Sequence, residues 1–212
     1  MLYGTLGKWD TTTVDLYLNP GYKPFNAIYY LVPNITKDTF FKKLQRLVNI
    51  GVLTPVYQLQ YRRPIFRIPN EDVNMRFITD DQNLNHKVVR KPYPLPIIGE
   101  TIQKLEGFQY ATALDLNMGY YIIAITTESN NSETIVTEFG KLIYNKVPMG
   151  LCAYGEIFQD KVDNILDETK GVNNYIDNRL VLSKGSLSQY IYQIRVLLDR
   201  LHVAALKVNA PK

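Results

Sequence analysis

"NNYIDNRLVLS", residues 173–183, is the stretch on which the reading of this chain turns. Apolar residues flank a polar centre, "YID" on one side and "LVL" on the other, the pattern of a β-hairpin tip. A carboxylate, Asp177, is followed directly by an amide, Asn178. Both residue types tolerate the backbone of a tight turn, so the pair has an ordinary structural explanation. It also has a chemical one, with Asp177 as a metal ligand and Asn178 as a second ligand that has lost its charge. The hairpin alone leaves both open.

Upstream, "ATALDLNMGYY" (111–121) puts Asp115 at the end of an otherwise apolar strand. A carboxylate there is costly unless a cationic side chain or a metal offsets it. From Ala111 the expected order is a strand, with "YIIAIT" continuing as strand, then a hairpin in "ETIVTEFGKLIYNKVP" turning at Gly140. A helix from about Ala153 to Glu168 follows, with Ile157, Phe158, Val162, Ile165 and Leu166 inward. After the 173–183 hairpin comes a long helix opened by the capping box Ser186-x-x-Gln189, its apolar stripe running from Leu187 to Leu201. "LKVN" is read as a final strand. This order predicts an α+β fold, with helices gathered on one face of an antiparallel sheet of the split βαβ, ferredoxin-like group. Such a sheet sets the strand ending at Asp115 beside the hairpin that carries Asp177. Two carboxylates meeting there without histidine or cysteine favour a hard, oxygen-seeking ion such as Mg²⁺. Aspartate-held Mg²⁺ pairs are the usual device of phosphoryl and nucleotidyl transfer.

The other half reads differently. Residues 1–35, with "NPGYKP" and "LVPN", predict an extended, turn-rich arm. "TKDTFFKKLQRLVNIGVL" predicts a helix capped by Thr36, with Phe40, Leu44, Leu47 and Val48 on its apolar face and Gly51 at its end. "RRPIFRIP" and "NMRFITD" predict two strands around a polar turn at 70–74. The proline-rich "KPYPLP" (91–96) marks a lobe boundary, and a short helix near 97–106 stops at Gly107.

The chain of 212 residues has room for one large domain or two small lobes. Its single cysteine, Cys152, excludes an intramolecular disulfide and a multi-cysteine zinc site. The two histidines, His86 and His202, are too few and too far apart in sequence to suggest a histidine-based metal centre. No apolar run approaches a membrane span and no secretory signal is visible, so a reducing, intracellular setting without a membrane partner is expected. The net charge of +4 is unevenly spread, with eleven Lys and Arg against five Asp and Glu between Lys37 and Lys91. A basic lobe beside a slightly acidic one suits a polyanion on one part and a metal on the other, or a solvated charged surface.

Seven blocks, "RFITDDQNLN", "RKPYPLP", "ALDLNMGYY", "TEFGKLIYNKVPMGL", "IFQDKVD", "YIDNRLVLSK" and "LKVNAPK", stand in the order found in reverse transcriptases of gypsy-class LTR retrotransposons, which the chain resembles through nearly its whole length. The resemblance implies the fingers and palm of a right-hand polymerase. An N-terminal arm would cover 1–35, fingers 36–91 and palm 92–212, with a fingers hairpin near 122–148 inserted. The thumb and any RNase H domain would lie beyond Lys212. Asp115 and Asp177 would hold two Mg²⁺ or Mn²⁺ ions, with the Leu116 backbone carbonyl as a further ligand. Tyr120 would be the aromatic gate against a ribose 2′-hydroxyl, or else a packed tyrosine. Arg76 would grip the incoming triphosphate, Met149 and Gly150 would form the turn that floors the nucleotide pocket, and Gln159 would serve position rather than chemistry. Lys212 would stand near the leaving pyrophosphate as a general acid. Template contacts are expected from the basic region, with Arg62, Arg63 and Arg67 the leading candidates. The implied partners are an RNA or DNA template with its primer, deoxynucleoside triphosphates, and the thumb, RNase H and integrase of a polyprotein, in a cytoplasmic particle or the nucleus.

Departures from that pattern fall on the chemistry. The usual "YxDD" is "YIDN", so Asn178 is a degenerate position lacking the third carboxylate. Gln82 replaces an arginine, Asn70 stands where a triphosphate-binding lysine is usual, and Tyr154 and Ala205 replace smaller residues. These changes imply an RNA-directed DNA polymerase of low or no activity. The alternatives are a remnant or domesticated module that binds nucleic acid without catalysis, and a structural subunit of an active polymerase.

Overall fold

The computed structural model describes residues 13–57, 61–69, 75–90, 92–94, 107–116, 119–166, 171–175 and 178–208. Its chain divides into two compact units. One comprises Asp10–Arg90 and Ile123–Tyr154; the other comprises Met1–Trp9, Lys91–Ile122 and Gly155–Lys212. In chain order the described elements are β1 (Thr13–Val14), α1 (Asn34–Asn49), β2 (Leu53–Val56), β3 (Arg63–Pro69), β4 (Met75–Thr79), α2 (Gln82–Asn85), β5 (Tyr110–Asp115) and a 3₁₀ turn (Gly119–Ile122). Then come β6 (Ala124–Ile125), α3 (Thr127–Asn130), a second 3₁₀ turn (Asn131–Glu133), β7 (Thr134–Thr137), β8 (Gly140–Tyr144), α4 (Cys152–Leu166), β9 (Val172–Tyr175), β10 (Asn178–Ser183) and α5 (Leu187–Val203). Among the described residues no helix is long and apolar enough to cross a membrane.

The first unit is built on a five-stranded sheet of order β2-β8-β7-β3-β4, in which only the β3–β7 pair is parallel. Strand β7 lies at its centre, and all four of its residues are buried, as expected of a strand covered on both faces. Helix α1 supplies Phe40, Leu44 and Leu47 at helical spacing, each buried, with the Phe40 ring 4.6 Å from that of Phe77. Each such side chain contributes roughly 1.5–3 kcal/mol by leaving water. Val48, expected on the same face, is only half-buried. Gly51 ends the helix at φ 76°, which lets the Val52 amide reach the Leu47 carbonyl at 2.9 Å. Thr36 does not cap the helix. It sits in the first turn, and its hydroxyl donates back to the Pro33 carbonyl at 3.1 Å. The polar turn at 70–74 and the helix expected near 97–106 lie outside the described residues.

The second unit carries an antiparallel sheet of order β5-β10-β9. Along β5, half-buried and exposed residues alternate, the signature of a strand with one covered face. The register sets Arg179 opposite Leu114, Val181 opposite Thr112, and Ser183 opposite Tyr110 on the covered face. There Tyr190 of α5 stacks on Tyr110 with centroids 5.2 Å apart, and its hydroxyl bonds that of Thr112. The capping box of α5 forms as the sequence predicts, with both Ser186–Gln189 hydrogen bonds present. Leu197 and Leu201 are buried, whereas Leu187, expected in the same stripe, occupies the first helical position and is 52% exposed.

Two expectations for strands are corrected. "YIIAIT" is not one continuing strand: it begins in a 3₁₀ turn, and only Ala124–Ile125 pair, with β1. Tyr121, Ile122 and Ile123 are buried in succession, which a strand with one exposed face does not allow. Of "LKVN", the described residues Leu206–Val208 contribute one antiparallel bridge, Val208 to Leu116, after Ala205 turns the chain at φ 55°.

Candidate catalytic and nucleotide-binding residues

Strand β5 ends at Asp115 and β10 begins at Asn178, and the two are direct cross-strand partners. Directly opposed residues of an antiparallel pair project from the same face, with Cβ atoms about 4.5–5.5 Å apart. Both are exposed, on the face that also carries Ala111 and Ala113, opposite the face packed by α5. The amide at 178 is therefore the immediate neighbour of the carboxylate at 115. On the covered side Arg179 is 1% exposed, and its guanidinium donates to the Asn178 carbonyl at 2.8 Å, which ties down the start of the strand. Asp177 and Lys212 lie outside the described residues, as does Asn70.

Among the described residues no three His, Cys, Asp or Glu side chains gather to hold a metal ion. The donors at the strand ends are a carboxylate and an amide oxygen, with the Leu116 carbonyl one residue on. This all-oxygen set fits Mg²⁺ or Mn²⁺ in kind. It supplies one negative charge, so a pair of divalent ions would need Asp177 as well.

Tyr120 lies in the 3₁₀ turn, half-buried, its ring 5.1 Å from that of Phe158 in a tilted contact. The Phe158 contact makes it a packed tyrosine whatever else it does. Gln159 is buried and acts between elements: its amide nitrogen donates to both carboxylate oxygens of Asp163, at 2.9 and 3.0 Å, and to the Asn174 carbonyl of β9 at 3.4 Å. Arg76 lies on β4 opposite Ile68, and Arg67 on β3 opposite Phe77; their side chains are outside the described part.

Gly150 sits at φ 139°, and a Cβ there would collide with the Asp81 carboxylate and approach the Thr79 carbonyl to 3.0 Å. Asn85 brackets the same turn. Its amide nitrogen donates to the Gly150 carbonyl at 3.1 Å, and its amide oxygen accepts from the Cys152 amide at 2.9 Å. Sequence reasoning missed Asn85, whose partners lie more than sixty residues away and leave no local signal.

Arg63 is corrected outright. Expected on a phosphate-gripping surface, it is 3% exposed, with one guanidinium nitrogen on Asp81 and another on Glu133 at 2.5 Å. The Tyr154 hydroxyl donates to the second oxygen of Glu133 at 3.1 Å. A cation this deep must be paired, and its two carboxylate partners come from two separate segments. Burial works to lower the Arg63 pKa, but Glu133 and Asp81 outweigh it and hold the guanidinium above its ordinary value. Burial pushes the Asp81 carboxyl up to about 7, with Arg63 opposing and Glu133 reinforcing the shift. Burial and Glu133 likewise hold the Tyr154 hydroxyl well above its usual range. Arg62, one residue earlier, is exposed.

No protein-family model matches the chain. Over 196 residues, 89% of its length, it is 29% identical to a retrovirus-related Pol polyprotein from transposon opus of Drosophila melanogaster. Over 151 residues, 70% of its length, it is 30% identical to the transposon Tf2-7 polyprotein of Schizosaccharomyces pombe. The chain spans 19% and 11% of these relatives' own lengths. Among solved structures it is similar to the prototype foamy virus protease–reverse transcriptase, with a TM-score of 0.88 and 20% identity over 97% of this chain and 27% of that one. A foamy viral protease–reverse transcriptase in complex with double-stranded DNA gives a TM-score of 0.89 at 18% identity, over 97% of this chain and 36% of that one. A third, in complex with an RNA/DNA hybrid, gives 0.85 at 18% identity, over 96% and 27%.

Proposed function

We propose, from the premise that this chain belongs to the Pol polyproteins of LTR retrotransposons as a reverse-transcriptase-like domain, that it is the fingers-and-palm part of an RNA-directed DNA polymerase with impaired nucleotidyl transfer. The observation that carries the reading is the register of Asn178 against Asp115. It puts the one position where the family's acidic pair is broken beside the candidate catalytic carboxylate. The three-stranded unit corresponds to palm, and the unit with the five-stranded sheet to fingers.

In this reading Asp115 and Asp177, with the Leu116 carbonyl, hold Mg²⁺ or Mn²⁺, which supplies charge to activate the primer 3′-hydroxyl and support the leaving pyrophosphate. Arg76 takes the triphosphate, since guanidinium suits bidentate phosphate contacts. Met149 and Gly150 floor the nucleotide site, and Asn85 holds their turn in place. Asn178 contributes an oxygen but no charge, and Lys212 serves as general acid. The substrates are deoxynucleoside triphosphates on a primed RNA or DNA template, in an intracellular particle or the nucleus, with thumb, RNase H and integrase supplied by the rest of a polyprotein.

Calorimetric titration with Mn²⁺ tests the site. Asn178→Asp is expected to bind the ion more tightly, because a third charge offsets dehydration and cation repulsion. Asp115→Asn is expected to abolish binding in both backgrounds. Equal affinity with Asn or Asp at 178 would remove that position from any metal site. A second reading, a module that binds nucleic acid without catalysis, draws on the same Asn178 and on neighbours solved with an RNA/DNA hybrid and with double-stranded DNA. It predicts salt-dependent primer–template binding with no metal-dependent extension, even when a thumb from an active relative is grafted on.

A further inference from the structure

A polar cluster that the proposed chemistry does not use centres on Asp163, half-buried on α4. Four hydrogen bonds from three side chains converge on its carboxylate. The Gln159 amide nitrogen, one helical turn earlier, donates to both oxygens at 2.9 and 3.0 Å. The Asn174 amide nitrogen reaches one oxygen at 3.2 Å, and the Tyr93 hydroxyl reaches the other at 3.1 Å. The carboxylate thereby ties together the proline-rich stretch, α4 and β9. An ionised carboxylate only accepts, with room for about four donors, and each of these partners donates.

Two of the contacts lead to the hairpin. Strand β9 is an edge strand, paired only with β10 among the described strands. Gln159 holds its backbone through the Asn174 carbonyl at 3.4 Å, and Asp163 holds the Asn174 side chain. The oxygen of that side chain is buried with no hydrogen-bond partner among the described residues, so the bond to Asp163 sets the amide's orientation. Asn174 stands directly opposite Arg179, and both project away from the face that carries Asp115 and Asn178. Arg179 in turn donates to the Asn178 carbonyl at 2.8 Å. From β9 the chain passes through residues 176–177 into β10, so the placement of β9 constrains Asp177 and Asn178 alike.

From this geometry we infer that Asp163 is a positioning residue, which fixes the β9–β10 hairpin and with it the positions of Asp177 and Asn178 relative to Asp115. It acts through Asn174 and Gln159 and not on the reacting atoms. Its effect on metal binding rests on the reading of Asp115 and Asp177 as ligands; the anchoring of the hairpin does not. The task explains the residue type. Asparagine at 163 would bring one acceptor oxygen and one NH₂ group to a place where every partner donates, leaving a donor facing a donor. Groups that hold metal ligands in place change affinity by a large factor without touching the ion.

The test uses the full chain, with calorimetric titration of Mn²⁺ and amide hydrogen exchange in metal-free buffer. Asp163→Ala is expected to weaken Mn²⁺ binding roughly 10- to 100-fold. It is also expected to lose exchange protection across β9 and β10 while α5 keeps its own. Asp163→Asn, matched in size to the native side chain, is expected to shift both readouts the same way by less, and it carries the test if the alanine variant does not fold. Asp160→Asn removes the same charge from α4, but Asp160 bonds Asn164 of its own helix, so both readouts are expected to stay unchanged. A parent chain that binds no Mn²⁺ defeats the metal reading alone, and exchange then decides: selective loss at the hairpin supports the anchor. Unchanged hairpin protection, loosening spread evenly through the unit, or equal losses with Asp160→Asn each overturn the inference. So does unchanged Mn²⁺ affinity in the Asp163 variants of a parent that binds the ion.

Discussion

Two places in the molecule carry charge in opposite ways. On the three-stranded sheet, Asp115 and Asn178 stand at exposed strand ends, where water solvates what the protein does not. Beside the five-stranded sheet, Arg63, Asp81 and Glu133 are buried, with the guanidinium paired to both carboxylates. Exposed charge can be exchanged with little loss of stability. Buried charge is bound to its partners, and removing one strands the others. Arg62 and Arg63, adjacent in sequence, fall on either side of this divide.

The sharpest way to break the comparison is at that adjacent pair. Arg63→Ala leaves two buried carboxylates without their cation and is expected to cost about 3–5 kcal/mol in urea unfolding. Arg62→Gln is expected to change stability by no more than about 0.5 kcal/mol. A small Arg63 effect would show that water reaches the network.

A strain effect of about 1–3 kcal/mol is expected for Gly150→Ala, since φ 139° disfavours any Cβ and the Asp81 carboxylate occupies its place. Thermal melts of Gly150→Ala alone and combined with Asp81→Ala separate the backbone strain from the collision.

Stability against pH probes the same carboxyl. The Asp81 pKa rises from 3.8 to about 7 on folding, so the folded state holds the proton more tightly than the unfolded chain. Its stabilising contribution is complete below about pH 4 and is lost as pH rises to about 7. The melting temperature of Asp81→Asn is therefore expected to vary less than that of the parent chain across this interval. An equal pH dependence in both would place the proton elsewhere.

The smallest effect belongs to the exposed strand ends. Asn178→Asp sets like charges directly opposite each other and is expected to cost about 0.2–1 kcal/mol in metal-free buffer. Mn²⁺ is expected to return that loss if the pair holds the ion. Destabilisation that Mn²⁺ leaves untouched would mark the position as structural alone.

What the sequence determined by itself was local or periodic. The face of α1 through Phe40, Leu44 and Leu47, the Ser186–Gln189 capping box, the Gly51 stop and the strand ending at Asp115 each arise from residues a few positions apart, where helical or strand geometry decides which side chains meet. The succession of motifs likewise identified the relatives. Tertiary structure decided the rest. Whether "YIIAIT" extends as strand depends on burial from all sides, which adjacent letters do not encode. Arg62 and Arg63 are the same residue type in the same stretch, and only Asp81 and Glu133, 18 and 70 residues from Arg63, make one of them structural. Asn85 and Gly150 meet across 65 residues. A side chain's chemistry is written in the sequence, but its free energy depends on water and partners, and folding alone assigns those.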